Sequence, residues 1–155
     1  MTITEPATLI TDYILAIVAV VLAVLVSRRR RPRRLSTYLW IAGFLLTGGA
    51  AATGGTWHGF ALYFSEPTHR LIWNVTVALI LASSMAVLWA VFSGPKGRRH
   101  PNTPWLVSGG LVTAAGFAIQ QSGVAVHPDF NHNDVFHCTQ AIALCLFFKG
   151  THSVK

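Results

Sequence analysis

Charge is what this sequence has least of. Only 11% of its 155 residues are Asp, Glu, Lys or Arg, where a soluble domain carries roughly 25%. Acids number five against twelve Lys and Arg, and cysteines number two. There is no internal repeat and no low-complexity tract. The shortage of charge excludes an ordinary soluble domain, and the shortage of cysteine excludes a disulfide-stapled secreted scaffold. Cys138 and Cys145 stand seven apart in one apolar run, too far apart along a helix to be bridged, so they are expected as two small buried hydrophobes.

What fills the space is apolar: 52% of residues are hydrophobic and the mean hydropathy is +0.50. The net charge of +7 could suggest a nucleic-acid partner. The basic residues, however, sit in short blocks between apolar runs and do not line one amphipathic surface, so they read as topology signals and no nucleic acid is expected. The first run, Leu9–Val26, resembles a secretory h-region, but Glu5 and Asp12 accompany it and Arg28 to Arg34 follow it. That order marks a retained, stop-transfer helix.

Four runs reach the roughly 18 residues that a spanning helix needs: Leu9–Val26, Tyr38–Phe64, Leu71–Phe92 and Trp105–Ser122. A fifth, Asp134–Lys149, covers only about 24 Å, with Asn133 or Asp134 expected as its N-cap. Pro32, Glu66-Pro67, Gly94–Gly97, Pro101 with Pro104, and Pro128-Asp129 read as breaks. The expected fold is therefore an all-α bundle of five transmembrane helices forming a single domain in the cell membrane. Five spans put eleven of the twelve basic residues on one side and all five acids on the other. By the positive-inside rule the N-terminus lies outside and the C-terminus in the cytoplasm. The Arg28–Arg34 block is a topology determinant, a site for anionic lipid headgroups, or both.

With direction assigned, His58, Asn74, Gln120, Gln121, His137 and Gln140 all fall within about 10 Å of the outer surface. His69, Arg70, His127, Asp129, His132 and Asp134 lie in the loops or at helix ends above them. Polar groups inside spans face the bundle interior and mark either a site or hydrogen bonds between helices. Two segments carry most of the chemistry. In Gly54–Gly59, small residues flank His58 and admit a close neighbour. In His127–Cys138, three histidines and two aspartates stand within twelve residues. Imidazole and carboxylate are the ligands zinc selects, and three ligands with an open fourth position make a catalytic site. His132 and His137 are five apart, about 140° on a continuous helix, so they share one ion only if His132 precedes the helix. Asp134 is a ligand, a partner holding an imidazole, a general base, or simply a cap.

His58 with Thr53 or Thr56, and the pair His132 and His137, resemble the membrane zinc hydrolases of the alkaline ceramidase and adiponectin-receptor superfamily. The resemblance covers about thirty residues. It implies zinc at His58, His132 and His137, with bound water attacking a lipid amide or ester, Thr56 near the family's serine position and Asp134 handling protons. This chain departs from the family pattern in having five helices rather than seven, a histidine spacing of five rather than four, and no serine beside His58.

Three functions fit these features. The first is a metal-dependent hydrolase of a membrane lipid or amphiphile, its pocket lined by Trp57, Trp73, Phe60 and Phe136 together with Asn74, Gln120, Gln121, Gln140, His69, His127 and Asp129. The second is a haem protein with His58 and His137 as axial ligands. The third is a metal or proton conductor, or an accessory subunit of a larger membrane complex. Membrane lipids are the expected partners, and a bundle this small invites a homo-oligomer to enclose a pocket.

Overall fold

The computed structural model describes residues 2–29, 34–93 and 102–151. Arg30 to Arg33, the Gly94–Gly97 break, Pro101 and the basic residues Lys96, Arg98, Arg99 and Lys155 lie outside the described residues. The described chain is all-helical: α1 Pro6–Ser27, α2 Leu35–Gly59, a 3-10 turn Ala61–Tyr63, α3 Glu66–Phe92, α4 Thr103–Ser122 and α5 His132–Gly150. Three of these, α1, α2 and α3, are long and apolar enough to cross a membrane.

Where the helices begin and end corrects the expected boundaries, and each shift has a local cause. Glu66-Pro67 opens α3 and does not break the chain, because proline is tolerated in a first turn whose N–H groups lack intrahelical partners anyway. α2 stops at Gly59, five residues before the expected Phe64, as Phe60 leaves the helical region at φ −121°, ψ 22°. The Gly59 carbonyl freed there accepts the Thr4 N–H at 3.1 Å, which ties the start of the chain to the end of α2. α5 is capped two residues earlier than expected. The Asn131 side chain accepts the Asn133 N–H at 2.7 Å, and Asp134 Oδ2 accepts the Asn131 N–H at 2.6 Å, a reciprocal capping box.

The helices pack in a row whose order is not the chain order: α3 against α2, α2 against α1, α1 against α5, and α5 against α4. The N-terminal helix is thus the central one. Its sequence fits it for that place. Thr8, Asp12, Leu15, Ala19, Leu22 and Val26, spaced alternately four and three residues apart, are all buried. This is a heptad-type seam, apolar over its lower two thirds and polar at its N-terminal end. Alanines and glycines let the helices approach: Ala19 is fully buried, and a methyl added at Gly48 would stand 3.3 Å from the Ala16 carbonyl. Trp40, Phe44 and Phe147 close the middle, with Trp40 centred 6.0 Å from each of the other two rings.

At the basic end, Arg29 donates to the Thr151 hydroxyl at 2.6 Å and stacks over Phe148, joining α1 to α5. Cys138 and Cys145 are free, as expected, but exposed on the outside of α5 and not buried. The outward faces of α3 and α4 are likewise apolar, with Leu81, Met85, Phe92 and Leu111 more than 60% exposed. Such surfaces suit hydrocarbon, where no water must be displaced.

At Gly55 α1 and α2 come close together at the polar end: an added methyl would meet Asp12 Cβ at 2.9 Å. Gly55→Val is expected to lower the stability of the solubilised protein by about 1–3 kcal/mol. Gly110→Ala, with nothing within 4 Å of the added carbon, is expected to leave it unchanged or slightly raised. Reversible denaturant unfolding of the two variants beside wild type checks both.

Candidate functional site

The polar end of the α1 seam is where three helices bring their ionisable groups together. Asp12, only 3% exposed, stands on α1 between α2 and α5. Gly54 and Gly55 make room for it: a methyl at Gly54 would lie 3.5 Å from Asp12 Oδ2. Across from Asp12, His137 projects from the second turn of α5, with Nε2 3.2 Å from Asp12 Oδ1 and both side chains under 10% exposed. The other ring nitrogen, Nδ1, lies 3.0 Å from the Thr11 hydroxyl. That hydroxyl also stands 3.1 Å from the Thr8 carbonyl and 3.3 Å from Asp134 Oδ1. Asp134 is fully buried and spends its second oxygen on the α5 cap.

A second acid–imidazole pair lies nearer the end of the bundle. Glu5 Oε2 is 3.2 Å from His58 Nδ1, within ion-pair range though not aligned as a hydrogen bond. The same Glu5 oxygen accepts from Thr8 at 3.1 Å, and Thr8 in turn accepts from Asn131 of α5 at 3.5 Å. Glu5, Thr8, Thr11 and Asp12 thus occupy one α1 stripe facing His58 of α2 on one side and Asn131, Asp134 and His137 of α5 on the other. At this end the ion pairs of the described residues that involve α1 are made to histidine.

Counting protons constrains the centre. The Thr11 hydroxyl has one proton and three neighbours, two of which, the Thr8 carbonyl and an ionised Asp134, can only accept. If Thr11 donates to either of them, it accepts from His137 Nδ1–H. Nε2 and Asp12 Oδ1 then face each other as two acceptors unless a further proton lies between them. Asp12 Oδ2 meanwhile has no hydrogen-bond partner among the described residues. A buried carboxylate in that position, with Asp134 and Glu5 within electrostatic reach, is costly unless a cation compensates it.

The residues singled out from sequence separate into two groups. His58, His137 and Asp134 converge on α1, although His58 reaches Glu5 and not the α5 residues directly. His132 does not join them: it is the first residue of α5, so the helix is continuous through His137 and the two side chains point about 140° apart. Among the described residues no group of three or more His, Cys, Asp and Glu is placed to hold a metal ion. Both nitrogens of His137 already face Thr11 and Asp12. Thr56 donates to the Ala52 carbonyl at 2.8 Å and contacts the Tyr13 hydroxyl at 3.0 Å, away from the histidines' partners.

The remaining residues scatter. Gln120 donates to Asn133 at 3.3 Å and Gln140 to the Thr113 carbonyl at 3.4 Å, both joining α4 to α5. Gln121 and Asn74 are exposed, Asn74 in a shallow groove on α3 with Glu66, Pro67, Arg70 and Leu71. His127 accepts the Asp129 N–H in an exposed loop closed by His127 and Phe130. Trp57, Trp73 and His69 stack together between α2 and α3.

Asp12, Thr11, Thr8 and Glu5 were not singled out. The signal is in the sequence: an aspartate inside an apolar run is a site candidate by default, and Asp12 carries that meaning beside its value as a topology marker.

Removing one member of the buried pair strands the other. His137→Leu is expected to lower stability by about 3–5 kcal/mol, whereas the double variant Asp12→Leu, His137→Leu is expected to recover most of that loss. Thermal unfolding of the single and double variants, completed as a cycle with Asp12→Leu, measures the coupling.

A family model described as a family of unknown function, DUF6962, matches residues 7–96 and 87–155. No curated protein and no solved structure matches the chain.

Proposed function

The chain belongs to that family of unknown function, and from the geometry of the site we propose that it is a multi-pass membrane protein with a proton-binding centre formed by Asp12 and His137. The observation that carries this is the Asp12–His137 contact at 3.2 Å, with the second Asp12 oxygen buried and unpartnered among the described residues. A proton is the cation that the arrangement takes without rearrangement, since it needs only the two facing atoms already in place. Thr11 and Asp134 hold the imidazole from behind and fix its orientation. Glu5, with its side chain 37% exposed, and His58, at 12%, form the more accessible pair through which protons reach the centre.

All five helices are proposed to span the cell membrane, with the histidine end outside and the arginine end in the cytoplasm. The antiparallel packing puts Glu5, His58 and Asn131 at one end and Arg29, Lys149 and Thr151 at the other, which agrees with that orientation. Protonation from outside then acts on the contact that seats α1 between α2 and α5. The chain would serve as a proton-responsive subunit or sensor in the membrane, with no catalytic step required.

A metal-dependent hydrolase acting on a lipid or amphiphile is the second proposal, and two atoms favour it. Asp12 Oδ2 and His58 Nδ1 are buried, lack hydrogen-bond partners among the described residues, and are of types zinc accepts. The residues as arranged do not fit the ion, because both His137 nitrogens face protein groups and no three donors converge among the described residues, so no hydrolytic step is derived from them.

Infrared difference spectroscopy on acidification, combined with elemental analysis, separates the two. The proton centre is expected to give a protonated-carboxyl band that disappears in Asp12→Asn, with no stoichiometric metal. About one zinc per chain, lost in His58→Ala and His137→Ala, with no Asp12-dependent band, would overturn it in favour of the hydrolase.

A further inference from the structure

Outside the α1 centre, a second group of rings lies where α2 meets the start of α3. The Trp57 indole stacks on the His69 imidazole with centroids 4.5 Å apart and planes 20° apart. It meets His58 edge-on at 4.7 Å and Trp73 at 4.9 Å. Packing alone explains rings in contact. It does not explain their nitrogens: Trp57 Nε1 and His69 Nε2 are both buried and neither has a hydrogen-bond partner among the described residues. Indole N–H can only donate, so this corner of the fold is short of an acceptor.

Depth and surroundings indicate what supplies it. Trp57 lies two residues before the end of α2, while His69 and Trp73 lie within the first three turns of α3, about 10 Å or less from the helix end. In a spanning bundle that is the level of the lipid ester and phosphate oxygens, where tryptophans characteristically sit. The ligand must offer acceptor oxygens on one side and hydrocarbon on the other, because Trp73, on the face of α3 that carries His69, is 42% exposed beside the stack. Arg70 stands on the next position of α3, mostly exposed and paired with Glu66 at 3.1 Å.

We propose that Trp57, His69 and Trp73 form a binding site for one phospholipid, with a phosphate oxygen accepting from Trp57 Nε1–H and from the His69 ring, and an acyl chain lying along Trp73. The site stands on α2 and α3 and does not depend on whether Asp12 and His137 bind a proton. An aqueous anion would satisfy the nitrogens but leave the apolar side uncovered. A neutral diacylglycerol would cover that side but bring no phosphate.

Native mass spectrometry of the full chain in detergent containing phosphatidylglycerol tests this, with Trp57→Phe and His69→Phe beside wild type. Both substitutions keep an aromatic ring and remove the hydrogen-bonding nitrogen, and thermal unfolding checks that the variants stay folded. Wild type is expected to retain one phospholipid, each variant to bind it roughly tenfold more weakly, and neither diacylglycerol nor inorganic phosphate to displace it. Undiminished binding in folded Trp57→Phe, equal binding of diacylglycerol, or displacement by inorganic phosphate would each overturn the proposal.

Discussion

The seating of α1 between α2 and α5 is the constraint on which the rest of the structure depends. α3 reaches the bundle through α2, and α4 through α5, so α1 is the main joint between the two halves, with Trp40 and Phe147 touching directly across it. Along most of its length the joint is made by small and branched apolar side chains in close contact. In a membrane such contacts gain little from the hydrophobic effect and rely on packing. At the polar end the joint is made by acid–imidazole contacts and a hydrogen bond: Asp12 to His137, Glu5 to His58, and Thr11 to Asp134. Burial makes these contacts stringent, because each group left alone would be costly there, and it makes the polar end the part of the seam that protons can alter.

That arrangement gives the two ends of the bundle different characters. The arginine end is held by a surface contact from Arg29 to Thr151 and Phe148, and Lys149 lies over Trp105. Such contacts tolerate water and headgroups. The histidine end places two acid–imidazole pairs at different depths, the accessible Glu5–His58 pair and the enclosed Asp12–His137 pair. A graded series of this kind suits proton entry from one side. Beside it, Trp57 packs between His58 and His69, so the proposed lipid site and the Glu5–His58 pair meet at one side chain.

Much of the fold was legible because apolar run length and breakers are local properties. All five helices lie where the runs predict, and three of them have the length and apolarity to cross a membrane. The boundaries moved where side chains compete for backbone groups. Asn131 and Asp134 closed a capping box that drew His132 into α5, and that two-residue shift separates His132 from His137. The α1 contribution was less legible for a different reason. Loop lengths do not say which helices become neighbours, so nothing local revealed that Asp12 would face a histidine 125 residues later. Of the polar layer expected from depth alone, His58 and His137 converge on α1, Gln120 and Gln140 join α4 to α5, and Asn74 and Gln121 are exposed.

The most direct test of the central claim is the nitrogen-15 NMR spectrum of the His137 ring in the bilayer-reconstituted protein, recorded as the pH is lowered. A proton-binding centre predicts Nδ1 protonated throughout, held against Thr11, with Nε2 gaining a proton or a strong hydrogen bond from a protonated Asp12 on acidification. A ring whose Nδ1 stays unprotonated, accepts from Thr11 and does not respond to pH would contradict it, and would leave the pair as a fixed contact between α1 and α5.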